Sequence, residues 1–171
     1  MFIKQIYTNC LSQASYYVES DGEAIIIDPI RDSNLYVDLV KNRQSKVRYI
    51  FETHFHADFI SGHLDLKNIF NSEIVFGSVA ETKYEIIKAE NNAIFNIGSI
   101  KIKVLHTPGH TPESVCYLLY DENNNEYCVF TGDTLFIGEV GRPDLAISSS
   151  ITESDLASQL YDSLHNVLMK L

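Results

Sequence analysis

Hydrophobic and polar positions alternate along the chain between short β-prone runs and amphipathic stretches. Phe2 to Tyr7 and Ala14 to Val18 are rich in β-branched and aromatic residues, and Asp21-Gly22 parts the second run from Ala24-Ile25-Ile26-Ile27, which signals a hairpin. The triple isoleucine reads as a buried strand ended by Asp28-Pro29. From Ser33 to Gln44, Leu35, Val37, Leu39 and Val40 fit an amphipathic helix, and Val47 to Glu52 is the next strand. Ser61 is placed to cap a helix whose buried face is Leu64, Leu66, Ile69 and Phe70, and Glu73 to Phe76 returns as a strand.

Ala80 to Ala93 is polar and ambiguous; the pattern fits a helix followed by a loop closed by Asn91-Asn92. Ile97-Gly98-Ser99-Ile100 leads into Lys101-Ile102-Lys103-Val104-Leu105, which alternates apolar and charged residues as a half-solvated strand does. Ser114 to Tyr120 and Tyr127 to Phe130 flank the solvated loop Asp121 to Asn125. From Ile151 a helix capped by Thr152 or Ser154 carries Leu156, Leu160, Leu164 and Leu168 on one face. The pattern stops in mid-course at Met169-Lys170-Leu171, as expected for a cut rather than a natural domain edge. Without an internal repeat or linker, residues 1–171 are expected to form one α/β domain, incomplete at its C-terminus.

Composition narrows the partners. A chain of 171 residues buries a sizeable core. A net charge of -10 and a pI near 4.9 argue against general affinity for nucleic acid or an anionic membrane. An anionic substrate would need local positive charge, most simply a bound cation. Cys10, Cys116 and Cys128 are three widely spaced residues with no CxxC pair, which fits neither a disulfide framework nor a Cys-rich zinc site and suggests the cytoplasm. The start of the chain lacks the apolar core of a signal peptide, and no later run is long enough to span a bilayer.

The candidate chemistry lies in three loops, each following a β-prone run. His54-Phe55-His56-Ala57-Asp58 follows the strand ending at Glu52; His110 sits in Thr107-Pro108-Gly109-His110-Thr111; Asp133 ends Thr131-Gly132-Asp133. Residues alternating along an extended segment point the same way, so a His-x-His pair aims both rings at one point. Gly109 and Gly132 allow close backbone approach beside His110 and Asp133. Together these pieces predict a metal site.

The three loops resemble the metallo-β-lactamase fold over essentially the whole chain, which implies a four-layer αββα sandwich with the metal at one edge where strand ends converge. The usual pattern of that family is HxHxDH, and here its last position is Phe59, whose benzyl ring cannot coordinate a cation. The stretches His54 to His63, Thr107 to Pro112, Phe130 to Gly138 and Gly141-Arg142-Pro143-Asp144 resemble the persulfide dioxygenase branch, in particular bacterial members fused to rhodanese domains. The resemblance implies His54, His110 and Asp133 as ligands of one Fe(II), with His56 and Asp58 behind them. Two imidazoles and a carboxylate also suit non-haem iron on chemical grounds. The implied reaction oxidises a low-molecular-weight persulfide of glutathione, coenzyme A or bacillithiol with O2 to sulfite and thiol, without a protein nucleophile.

Cys10, Phe59, His63 and Arg142 are candidates for lining the pocket, although a free Cys is usually a small buried hydrophobe, His63 is as readily a structural hydrogen-bonding group, and Arg142 is expected to brace its loop with Asp144. Relatives make a homo-oligomer an expectation. Two alternatives stand beside the dioxygenase: a zinc hydrolase of thioesters, as in glyoxalase II, and a metal-free remnant or binding domain. Members of the family continue into a further strand and loop carrying another His, which this chain lacks.

Overall fold

The computed structural model describes every residue except Ser149. Among the described residues, ten strands and three α-helices form two facing sheets with helices outside. The first sheet runs in the order β1 (Phe2–Thr8), β2 (Gln13–Ser20), β3 (Glu23–Ile27), β4 (Lys46–Phe51), β5 (Glu73–Gly77) and β6 (Ile87–Ala89). Its first two pairings are antiparallel and the rest parallel. The second sheet is antiparallel, in the order β10 (Glu126–Phe130), β9 (Val115–Tyr120), β8 (Ile100–His106) and β7 (Ile94–Ile97).

The layers follow from strand periodicity. Alternate residues of β3 point to opposite faces, so Ile25 and Ile27 enter the core between the sheets while Ala24 and Ile26 face outward. Ile25, Ile27, Phe51 and Val75 meet Ile102, Val104, Tyr117 and Leu119 of the second sheet. On the outer face, α1 (Asn34–Arg43) buries Tyr36 and Val40, and α2 (His63–Phe70) buries Leu66, against Ala24, Ile26, Val47 and Ile50. Beyond the second sheet, the C-terminal helical segment packs Leu164, Val167 and Leu168 on Leu105, Cys116 and Leu118. The αββα sandwich is therefore present.

Helix α3 (Glu153–Asp162) starts at Thr152 with a reciprocal cap: the Thr152 side chain accepts from Asp155 N–H, and the Asp155 carboxylate accepts from Thr152 N–H. Two local expectations differ from the structure. Ala80 to Ala93 forms no helix; Tyr84 and Ile86 pack with Ile74, Phe76 and Ala80, and Ile87–Ala89 adds β6 beside β5. The N-cap position of α2 is Gly62 rather than Ser61; the Ser61 hydroxyl, one residue earlier, accepts from His63 N–H at 3.3 Å and donates to the Glu52 carboxylate at 2.5 Å. Only Leu66 of α2 is fully buried, with Leu64 and Ile69 exposed. No helix among the described residues is long and apolar enough to cross a membrane.

Candidate metal centre

The site lies where strands deliver their C-terminal ends to one edge of the sandwich. His54 follows β4, His110 sits between β8 and β9, and Asp133 lies in the 3-10 turn Gly132–Thr134 after β10. Backbone and side-chain bonds fasten these loops together. Val115 N–H donates to the Thr53 carbonyl at 2.9 Å, and the Tyr117 hydroxyl donates to the Glu52 carbonyl at 2.7 Å, joining the sheets at this edge. Thr107 and Thr134 hydroxyls meet at 3.3 Å between the His110 loop and the Asp133 turn. Gly132 holds a φ of +48°, and a Cβ there would collide with the Thr53 side chain, so glycine lets the Asp133 turn close on the His54 strand end.

His54, His110 and Asp133 converge as the sequence indicates. Their donor atoms all lie within 4.8 Å of one another, with Asp133 Oδ2 3.8 Å from His54 Nε2 and 3.6 Å from His110 Nε2. Both rings are held through the other nitrogen. The Thr53 hydroxyl donates to Asp28 Oδ2 at 2.8 Å, which leaves its oxygen to accept from His54 Nδ1 at 3.0 Å. The Arg142 carbonyl, which can only accept, takes the bond from His110 Nδ1 at 3.0 Å. In the neutral rings Nε2 then carries a lone pair. Burial, followed by the charge of His56, pushes His54 down to about 3, so it is neutral. Burial raises the Asp133 carboxyl above its ordinary value. With both Nδ1 atoms engaged, the two Nε2 atoms and Asp133 Oδ2 face one another, an arrangement that a divalent cation satisfies.

His56 does not join them. Its side chain is 4 % exposed, and Nε2 hydrogen-bonds Asp28 Oδ1 at 3.2 Å. The same nitrogen lies 3.1 Å from Glu52 Oε2, without an aligned hydrogen bond. Burial opposes charge on this ring, but Asp28 and then Glu52 override it and hold the imidazolium up to about 10. Glu52, fully buried, also receives Ser61 and His63 on Oε1. Burial works against its ionisation, yet the neighbouring His56 imidazolium and the bond to His63 keep it below the usual carboxylate range. Asp28 holds a left-handed φ of 48°, a conformation aspartate tolerates, and its carboxylate also accepts from Thr53 N–H at 2.7 Å.

The remaining sequence candidates separate. Asp58 is exposed and makes no hydrogen bond or ion pair among the described residues, so it orients no ligand; its charge only adds to the field that raises Asp133. The Phe59 ring packs on His56 with centroids 4.3 Å apart. His63 links Glu52 to the Tyr84 hydroxyl, 2.8 Å from Nε2, and with Phe59 lines a cavity of 350 Å³. Cys10 is exposed in the β1–β2 turn and is not among the residues lining either cavity. Arg142 pairs with Asp144 at 2.7 Å, as its sequence context indicated, and orients His110 through its backbone. Sequence reasoning missed Asp28, Glu52, Thr53 and Tyr84. Asp28 and Glu52 are carboxylates at the ends of apolar strands, and that placement was the available signal.

A family model for the metallo-beta-lactamase superfamily matches residues 8–170. The chain belongs to the metallo-beta-lactamase superfamily. Hydroxyacylglutathione hydrolase of Dictyostelium discoideum is 38 % identical over 164 residues, which cover 92 % of this chain and 57 % of the relative. The Saccharomyces cerevisiae protein called hydroxyacylglutathione hydrolase, cytoplasmic isozyme, is 32 % identical over 155 residues, with coverage of 81 % and 57 %. Among solved structures, a metallo-beta-lactamase from Staphylococcus aureus superposes with a TM-score of 0.87 at 38 % identity, covering 98 % of this chain and 52 % of that one. ETHE1 from Myxococcus xanthus gives 0.84 at 30 % identity, covering 100 % and 71 %. The chain spans about half the length of the curated relatives it matches.

These findings overturn persulfide oxidation, and with it O2 as co-substrate. The curated relatives at 31–38 % identity are hydroxyacylglutathione hydrolases. Phe59 in the last position of the HxHxDH pattern does not by itself select oxygen chemistry. A missing ligand limits how many ions can be held, but three ligands with an open position serve hydrolysis as well as oxygen chemistry.

Proposed function

We propose that the chain is a metal-dependent thioester hydrolase that cleaves hydroxyacyl thioesters of glutathione. The observation that carries this reading is the convergence of His54 Nε2, His110 Nε2 and Asp133 Oδ2 with both Nδ1 atoms already engaged, in a chain related to hydroxyacylglutathione hydrolases. His54, His110 and Asp133 would hold one divalent ion, and this donor set suits zinc or ferrous iron. When bound, such an ion supplies a water nucleophile at neutral pH and polarises the thioester carbonyl.

The protein's part is to bind and orient. Asp133 is 32 % exposed and opens onto a cleft of 480 Å³ lined by Tyr7, Gln13, Tyr16, Phe136 and Ile137 among others. The lining includes the carboxylates Asp28 and Asp133 and no Lys, Arg or His. The lining offers no cationic side chain to pair a carboxylate on the acyl chain, so an uncharged acyl chain is favoured there. The thiol end, with the carboxylates of glutathione, then points away from this cleft. Unpaired cysteines, together with a relative called a cytoplasmic isozyme, support a cytoplasmic location.

Thiol release by metal-loaded protein from hydroxyacylglutathione, compared with an analogue ending its acyl chain in a carboxylate, tests the reading. Release from the first at least about tenfold faster, a difference of ~1.4 kcal/mol at the barrier, is expected. Equal rates would remove the cleft from the acyl site, and no release from either would remove thioester hydrolysis.

A further inference from the structure

The 480 Å³ cleft beside Asp133 has several polar side chains in its wall, and most of their donors are already engaged. Gln13 commits its amide nitrogen to the carbonyls of Ala14 and Asp28, at 3.3 and 3.4 Å. The Thr131 hydroxyl donates to the Leu135 carbonyl at 2.8 Å. Tyr7 and Ser12 are exposed, at or beside the β1–β2 turn, where water serves them. Tyr16 is the exception. Its hydroxyl oxygen accepts from Gln5 Nε2 at 3.2 Å, and its own proton meets no acceptor among the described residues.

The Tyr16 ring is also fixed in place. It sits on β2 opposite Ile27 and packs on Phe130, with centroids 4.8 Å apart. Phe130 ends β10, and the chain then turns through Thr131 and Gly132 to Asp133. Half-buried Tyr16 therefore stands against the strand end that carries Asp133, and it presents a preset donor in the wall of the same cleft. A few such polar groups in a largely apolar wall are what orient a small ligand. The thioester carbonyl belongs at the metal, so the acceptor left for Tyr16 is a second oxygen on the acyl chain. We propose that the Tyr16 hydroxyl donates to the 2-hydroxyl of the acyl group and so selects hydroxyacyl over unsubstituted acyl thioesters. The proposal rests on the thioester-hydrolase reading above and on this cleft as its acyl site.

The test is kcat/KM for thiol release from S-(2-hydroxypropanoyl)glutathione and from S-propanoylglutathione, by the metal-loaded chain and by Tyr16→Phe. Phenylalanine keeps the ring and its packing on Phe130 and removes only the donor. A 2-hydroxyl also activates the thioester inductively, but equally in both proteins, so the change in the ratio isolates Tyr16. The unaltered chain is expected to prefer the hydroxyacyl substrate by about tenfold or more, and Tyr16→Phe to shrink that ratio by about fivefold or more. An unchanged ratio in Tyr16→Phe, or no preference in the unaltered chain, would overturn the proposal while leaving thioester hydrolysis standing. No release from either substrate by the unaltered chain would overturn the hydrolase reading and the proposal with it.

Discussion

At the candidate centre, Thr53 and the Arg142 carbonyl occupy the Nδ1 atoms of His54 and His110 and leave both Nε2 atoms facing Asp133. The metal-binding orientation is thus built by ordinary hydrogen bonds before any ion arrives, which limits the ordering required on binding. The cysteines play no such part. Burial pushes the Cys116 thiol up from 9.0 to about 11, so in the folded chain it stays protonated where the unfolded chain ionises. Since the unfolded state then binds fewer protons, stability is expected to fall as pH rises from 9.0 through 11. Urea titrations across that range should show a shallower decline in Cys116→Ala; parallel curves would contradict this origin. The ligands themselves were legible as His-x-His, Gly-His and Gly-Asp after β-prone runs. The fate of His56 was not, since it depends on Asp28 and Glu52, which lie at the ends of different strands and meet only in the folded sheet.

At the scale of elements, α3 acts on the centre through the His110 loop. The Ser163 hydroxyl donates to the Pro108 carbonyl at 2.7 Å, and Gly109 packs directly against the backbone of Leu160. Gly109 has a φ of +139°, and a Cβ at this position would overlap Leu160, so no side chain is accommodated without moving the helix or the loop. Gly109→Ala is therefore expected to lower stability by roughly 2 kcal/mol or more, combining backbone strain with lost packing, and to weaken metal binding with it. Thermal unfolding with and without metal checks this; an unchanged midpoint and unchanged affinity would show that α3 does not support the loop. Helix α3 was readable because its cap and leucine spacing are local signals. Strand β6 was not, because a three-residue segment becomes a strand only by pairing with β5.

Across the whole molecule, two sheets of opposite character meet the same requirement. A mixed sheet, parallel from β3 to β6, and an antiparallel sheet send loops to a shared edge, where three candidate ligands from distant positions close on one point. The sandwich and the convergence of His54, His110 and Asp133 were legible because periodicity and motif agreed. The reaction was not, since an absent ligand at Phe59 constrains ion number rather than chemistry. The most direct test is the rate of thiol release from hydroxyacylglutathione by the metal-loaded chain, before and after chelation and in His110→Ala. Release that is lost on chelation, restored by adding the divalent ion back, and at least about a hundredfold lower in His110→Ala is expected, a difference of ~2.7 kcal/mol. Release that persists in the chelated chain or at an undiminished rate in His110→Ala would contradict a hydrolytic centre built on His54, His110 and Asp133.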